Sequence, residues 1–199
     1  MLLLAHRLKQ AGFACRSFNY ATWRQDPVES ISALADFCRQ TQSEKMHLVG
    51  YSLGGLLILK MLEKESRSEP GQGMPLKAGR VVLLGSPLAG SSAARRLSST
   101  VGGRMLLRHS RSGLLEGVSF IPSDRECAMI AGNRPYGLGR LMGAVKGSSD
   151  GTVAVIETTS EGLTDHLLLP FSHTGLMLSG TVASQVAAFF NDGSFNLHQ

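Results

Sequence analysis

Two serines stand in the pattern G-x-S-x-G. One is Ser52 in HLVGYSLGGLL, residues 47–57, and the other is Ser149 in GSSDG, residues 147–151. A serine hydroxyl attacks a carbonyl only when a neighbouring base takes its proton and a third group holds that base in place. The chemistry to test is therefore acyl transfer, and the residues to find are a histidine and a carboxylate. The pattern alone decides nothing, because a chain with 23 Gly and a similar number of Ser contains about 0.3 such matches by chance.

Context separates the two serines. A nucleophile elbow needs a strand ending at the first glycine and a helix starting just after the serine, since that sharp turn lifts the hydroxyl above the sheet. Ser52 has MHLV before it, Gly50 and Gly54 around it, Gly55 in addition, and LLILKMLE after it. Small residues two places either side of the serine let strand and helix approach. Ser149, between LMGAVK and TVAVIE, has no such frame, so Ser52 is the expected nucleophile.

The partners of an elbow serine follow it in the order acid then histidine, each in a loop at the carboxyl end of a strand. Of the later histidines, His173 lies just past the apolar run LLLPF, in the loop SHTG leading to the last helix, and is the expected base. His166 stands at the wrong end of the same strand, His109 in a segment that could cover the site, and His198 at the terminus. Asp150 is the favoured acid, because SSDGTV is a turn-rich loop after the fourth strand and Gly151-Thr152 let the carboxylate point inward. Asp165 reads as a surface or strand-capping residue, and Asp124 precedes the fourth strand. His47, within the strand leading to the elbow, reads as structural. Gly55 stands where an S-x-x-K site at Ser52 would need lysine.

The elements that must hold these groups are legible in outline. LLLAHRLKQA, residues 2–11, has helical apolar spacing and stops at Gly12. FACRSFNY, 13–20, reads as a strand, and Pro27 opens a second helix through VESISALADFCRQ. KMHLVG is a short buried strand, Leu53 to Glu63 a helix, and 65–79 a polar loop. RVVLLG (80–85), ECAMIAG (126–132) and DHLLLPF (165–171) are further strands, and Val182 to Phe190 is a closing helix. Strands alternating with helices predict an α/β fold, a mostly parallel sheet with helices on both faces. The Gly-, Ser- and Arg-rich segment 86–125 is either a cap or lid over the site or a connecting helix with a long loop.

At 199 residues and 43% hydrophobic, one domain spanning 1–199 is expected. The net charge of +5 is dispersed and only 6% of residues are aromatic, so no nucleic-acid partner is indicated. Cys15, Cys38 and Cys127 have neither zinc nor disulfide spacing and read as reduced, mostly buried thiols. No apolar run approaches the ~20 residues of a membrane span, and no signal peptide is readable, so the cytoplasm is the default location. If the chain extends upstream of Met1, a signal peptide or membrane anchor there would change that expectation.

Taken in order, HLVGYSLGG, LLGSPLAGS, IAGNR, SDGTV and LPFSHTG resemble the lipase and esterase branch of the α/β-hydrolase superfamily, in particular small bacterial hydrolases related to triacylglycerol lipases. The resemblance runs from residue 1 to 195. It implies a Ser52, Asp150 and His173 triad, the Leu53 amide as an oxyanion donor, an ester substrate of small-molecule or lipid type, and neither metal nor organic cofactor. Members of that family begin with a strand ending in a His-Gly motif, whose loop supplies a second oxyanion donor, and no His-Gly pair precedes Ser52 here. Two functions are thus expected to compete. One is a serine hydrolase of carboxylic esters, lipid esters among them given the apolar pieces LLRH and GLLEGVSF. The other is a weakly active or non-catalytic binding module that has lost its oxyanion loop.

Overall fold

Helix α1 (Leu2–Gln10) stops where glycine allows the chain to reverse. Gly12, at φ +94°, donates its N–H to the Lys9 carbonyl, while the Phe13 N–H reaches the Leu8 carbonyl, both at 3.0 Å. That pair of bonds is a Schellman motif, which satisfies carbonyls the helix leaves open. The computed structural model describes residues 1–19, 27–67, 76–77, 79–92, 117–135 and 147–196. Helix α2 (Pro27–Arg39) starts at its proline, where the missing N–H costs nothing.

Among the described residues four parallel strands make the sheet: β1 (Leu48–Tyr51), β2 (Val81–Leu84), β3 (Cys127–Gly132) and β4 (Asp165–Leu169), in the spatial order β1-β2-β3-β4. Leu48 pairs with Val81, Val81 with Cys127, and Ala128 with Asp165. β2 and β3 are buried along their whole length, as interior strands covered on both faces must be. The remaining α-helices among the described residues are α3 (Leu53–Ser66), α4 (His173–Leu178) and α5 (Gly180–Asp192). Among the described residues no helix is long and apolar enough to cross a membrane.

Strand alternation divides the core into two layers. Val81, Leu83, Cys127 and Met129 face Leu34 and Cys38 of α2 and Leu56, Leu59 and Met61 of α3. Val82, Leu84, Ala128 and Ile130 face Leu4 and Leu8 of α1, Leu176 of α4, and Val182, Val186 and Phe189 of α5. The carboxyl ends of β1, β2 and β4 lead directly into Ser52, Gly85 and the turn before His173. The ends of parallel strands are where side chains can converge.

Three expectations are corrected. Residues 13–19 of the expected strand FACRSFNY form no strand, and Tyr20 lies outside the described residues. A strand needs a neighbour's backbone to pair with, and among the described residues β1, β2, β3 and β4 pair only with one another. The stretch SHTG is not a loop, because His173 opens α4. Small residues at both ±2 positions were expected to bring strand and helix together, yet a methyl group on Gly54 would meet open space; the close approach is between Gly50 and Gly55. Of the segment 86–125, residues 93–116 lie outside the described residues, as do His109, His198 and the LLRH piece. Of the described stretches on either side, Val118 donates its N–H to the Leu88 carbonyl at 2.8 Å.

All three cysteines are free. Burial pushes the Cys38 thiol up to about 11 and the Cys127 thiol up to about 12, whereas Cys15 is half-exposed. Thiolate is the reactive form. A thiol-specific chromogenic disulfide at about pH 8 is therefore expected to titrate Cys15 alone in the native protein and all three thiols after denaturation. Equal native rates for all three would contradict this packing.

Candidate active site

The peptide turns at Ser52 between the end of β1 and the start of α3. Ser52 has φ +52°, the one positive value among the described non-glycine residues, and such strain is held only when the surroundings impose it. Its N–H donates to the Leu84 carbonyl at 2.8 Å, anchoring the turn to β2. A Cβ on Gly50 would overlap the backbone of Gly54 and Gly55, and one on Gly55 would overlap the Ser86 hydroxyl. Gly54→Ala is expected to raise stability by up to about 1 kcal/mol through helix propensity. Gly55→Ala is expected to lose about 1–3 kcal/mol through overpacking. Urea unfolding midpoints of the pair measure both, and equal midpoints would contradict the close approach described here.

His173, at the first position of α4, reaches back across the end of the sheet. Its Nε2 lies 3.0 Å from Ser52 Oγ and its Nδ1 lies 2.6 Å from Asp150 Oδ2. The Asp150 side chain is 1% exposed and the His173 side chain 12%, so the pair is held almost out of water. Asp150 Oδ1 accepts the N–H groups of Thr152 and Val153 at 2.9 and 2.8 Å, leaving Oδ2 for the imidazole. The Asp150 carbonyl also accepts the His173 N–H at 2.9 Å, joining the two loops through the backbone. The structure thus brings Ser52, His173 and Asp150 into one hydrogen-bonded line.

The surroundings constrain that line. The Tyr51 ring lies 4.8 Å from the imidazole, and burial, then the Asp150 charge, pushes its phenol up to about 12, so it stays neutral. Gly85, at φ +55°, passes beneath the pair; a Cβ there would lie 3.0 Å from Asp150 Oδ2 and 3.1 Å from His173 Nδ1. Leu53 is the first residue of α3, where helix N–H groups lack intrahelical partners and the helix end carries partial positive charge. Ser86 Oγ is buried against the same turn with no hydrogen-bond partner among the described residues.

The other candidates have different employment. His47 Nδ1 accepts the Arg80 N–H at 3.1 Å and its ring stacks on Phe190, consistent with a structural histidine. His166 Nε2 lies 2.9 Å from Thr158 Oγ1, away from Ser52. Asp165 accepts the N–H of His166 at 2.8 Å and of Phe195 at 3.1 Å, and Asp124 pairs with Arg125. Ser149 is buried in the acid turn, its Oγ accepting the Gly151 N–H at 3.4 Å. Among the described residues no group of three or more His, Cys, Asp or Glu side chains could hold a metal ion. Sequence reasoning missed Glu157, a buried carboxylate beside the acid turn; Ala154, three residues before it, lacks the side-chain oxygen of a capping box, so the local pattern carried no signal.

No family model and no curated protein matches the chain. Solved structures do. A lipase of Bacillus licheniformis in mature form is similar at TM-score 0.61 and 20% identity, covering 84% of this chain and 74% of its own. A phospholipase of Legionella pneumophila is similar at TM-score 0.60 and 14% identity, covering 94% of this chain, which spans about half, 52%, of that protein. A pyrethroid hydrolase from Sphingobium faniae is similar at TM-score 0.56 and 13% identity, covering 96% and 91%. The parallel sheet flanked by helices, together with these bacterial neighbours, shows that the chain has an α/β-hydrolase fold of the kind found in bacterial lipases, esterases and phospholipases.

Proposed function

We propose that the protein is a serine hydrolase of carboxylic esters, with Ser52 as nucleophile, His173 as base and then acid, and Asp150 holding the imidazole. The observation that carries this reading is the line from Ser52 Oγ through His173 to buried Asp150, 3.0 and 2.6 Å at its two joints, set on a strained turn between strand and helix. The neighbours that hydrolyse esters support it at the level of fold.

In this mechanism Ser52 Oγ attacks the ester carbonyl as His173 Nε2 takes its proton, and Asp150 stabilises the imidazolium through Nδ1–H. The oxyanion lies against the Leu53 N–H and the positive end of α3. The imidazolium returns its proton to the leaving alcohol, giving acyl-Ser52. Water, deprotonated by the same histidine, then releases the acid and restores the serine.

A fluorophosphonate probe tests the nucleophile without knowledge of the natural substrate. The folded protein is expected to take one label, at Ser52, with labelling abolished in Ser52→Ala. A folded, unlabelled wild type would instead favour a binding module.

A further inference from the structure

Glu157 is a buried carboxylate that takes no part in the reaction above. It sits in the short 3₁₀ helix Val155–Thr158, is 5% exposed, and has no ion-pair partner among the described residues. A buried charge of this kind is costly unless its oxygens are hydrogen-bonded. Both are. Oε2 accepts the Ala154 N–H at 3.0 Å and Oε1 accepts the Ser92 N–H at 2.6 Å, while the Glu157 carbonyl accepts the Ala89 N–H at 3.1 Å.

The amides concerned are not arbitrary ones. Thr152, Val153 and Ala154 donate in succession, the first two to Asp150 Oδ1 and the third to Glu157 Oε2. Ala89 and Ser92 belong to the stretch after β2, which begins at Gly85 beneath His173 and Asp150. One side chain therefore closes the turn that holds the acid and ties it to the neighbouring loop. A neutral residue would be cheaper to bury, but a carboxylate accepts at both oxygens at once. Glutamine offers one acceptor and one NH₂, which would face an N–H.

We propose that Glu157 is a positioning residue for Asp150: it fixes the Thr152–Ala154 turn and locks it to the loop after β2, so that Asp150 meets His173 in one geometry. The kinetic consequence rests on the function proposed above, whereas the structural consequence does not.

Glu157→Gln is expected to lower kcat for a p-nitrophenyl ester about 10- to 100-fold with KM within about twofold, since small misplacements at a reacting centre cost rates of this order. By NMR, the downfield His173 Nδ1–H resonance of the wild type is expected to broaden or vanish in the variant, and the Thr152 and Val153 amides to exchange faster. Ser92→Pro removes the donor to Oε1 and leaves Glu157 in place, so it is expected to move both signals in the same direction; it decides the matter if Glu157→Gln does not fold. Folded variants with unchanged resonance and amide exchange would overturn the proposal, as would a change confined to KM or to melting temperature. A wild type without esterase activity whose resonance still responds to Glu157→Gln would sink the reaction and keep the positioning role.

Discussion

Ser52→Ala is expected to lower ester turnover about 10⁶-fold while leaving the fold intact, because a triad acts as a unit and loses nearly all its power with its nucleophile. The fold is expected to survive for a local reason. The strain at φ +52° comes from the backbone and is the same for alanine as for serine, while the N–H bond to Leu84 remains. Initial rates on a short-chain p-nitrophenyl ester, with circular dichroism as the control for folding, measure it. Turnover within tenfold of the wild type would remove Ser52 from the mechanism.

Asp150→Asn should cost about 10⁴-fold in kcat, and the geometry says why. The Thr152 and Val153 N–H groups require an acceptor at the Oδ1 position, so the asparagine oxygen is held there and its NH₂ is turned toward His173. An NH₂ facing Nδ1 makes that nitrogen an acceptor and places the ring proton on Nε2, aimed at Ser52 Oγ 3.0 Å away. A histidine with its proton on that side cannot accept another from the serine. The asparagine side chain is isosteric, so a loss of activity with an unchanged unfolding midpoint separates this tautomer effect from a packing effect. Activity within tenfold of the wild type would show that the carboxylate is dispensable.

The readable parts of the molecule were those where a local signal has one physical meaning. The β1–Ser52–α3 frame was evident because apolar residues up to Val49, and a run from Leu56 to Ser66 without glycine or proline, have few other ways to fold. The buried runs Val81–Leu84 and Cys127–Gly132 were evident because continuous apolar sequence in an α/β chain belongs between two layers of helices. FACRSFNY misled for the complementary reason. Its composition suits a strand, yet a strand exists only where another backbone faces it, which no local pattern records.

The sequence by itself determined the residue types, their order along the chain, and a parallel sheet whose carboxyl ends bear a serine, an acidic turn and a histidine. Only the tertiary structure decided which carboxylate meets the imidazole. Asp150 and Asp165 lie 23 and 8 residues before His173, yet it is the more distant one that touches it, because β4 carries Asp165 to the far end of the sheet and the turn held by Glu157 brings Asp150 back. Strand direction separates neighbours in sequence, and loops from different strand ends converge. Contacts of 3.0 and 2.6 Å between groups 121 and 23 residues apart depend on that convergence.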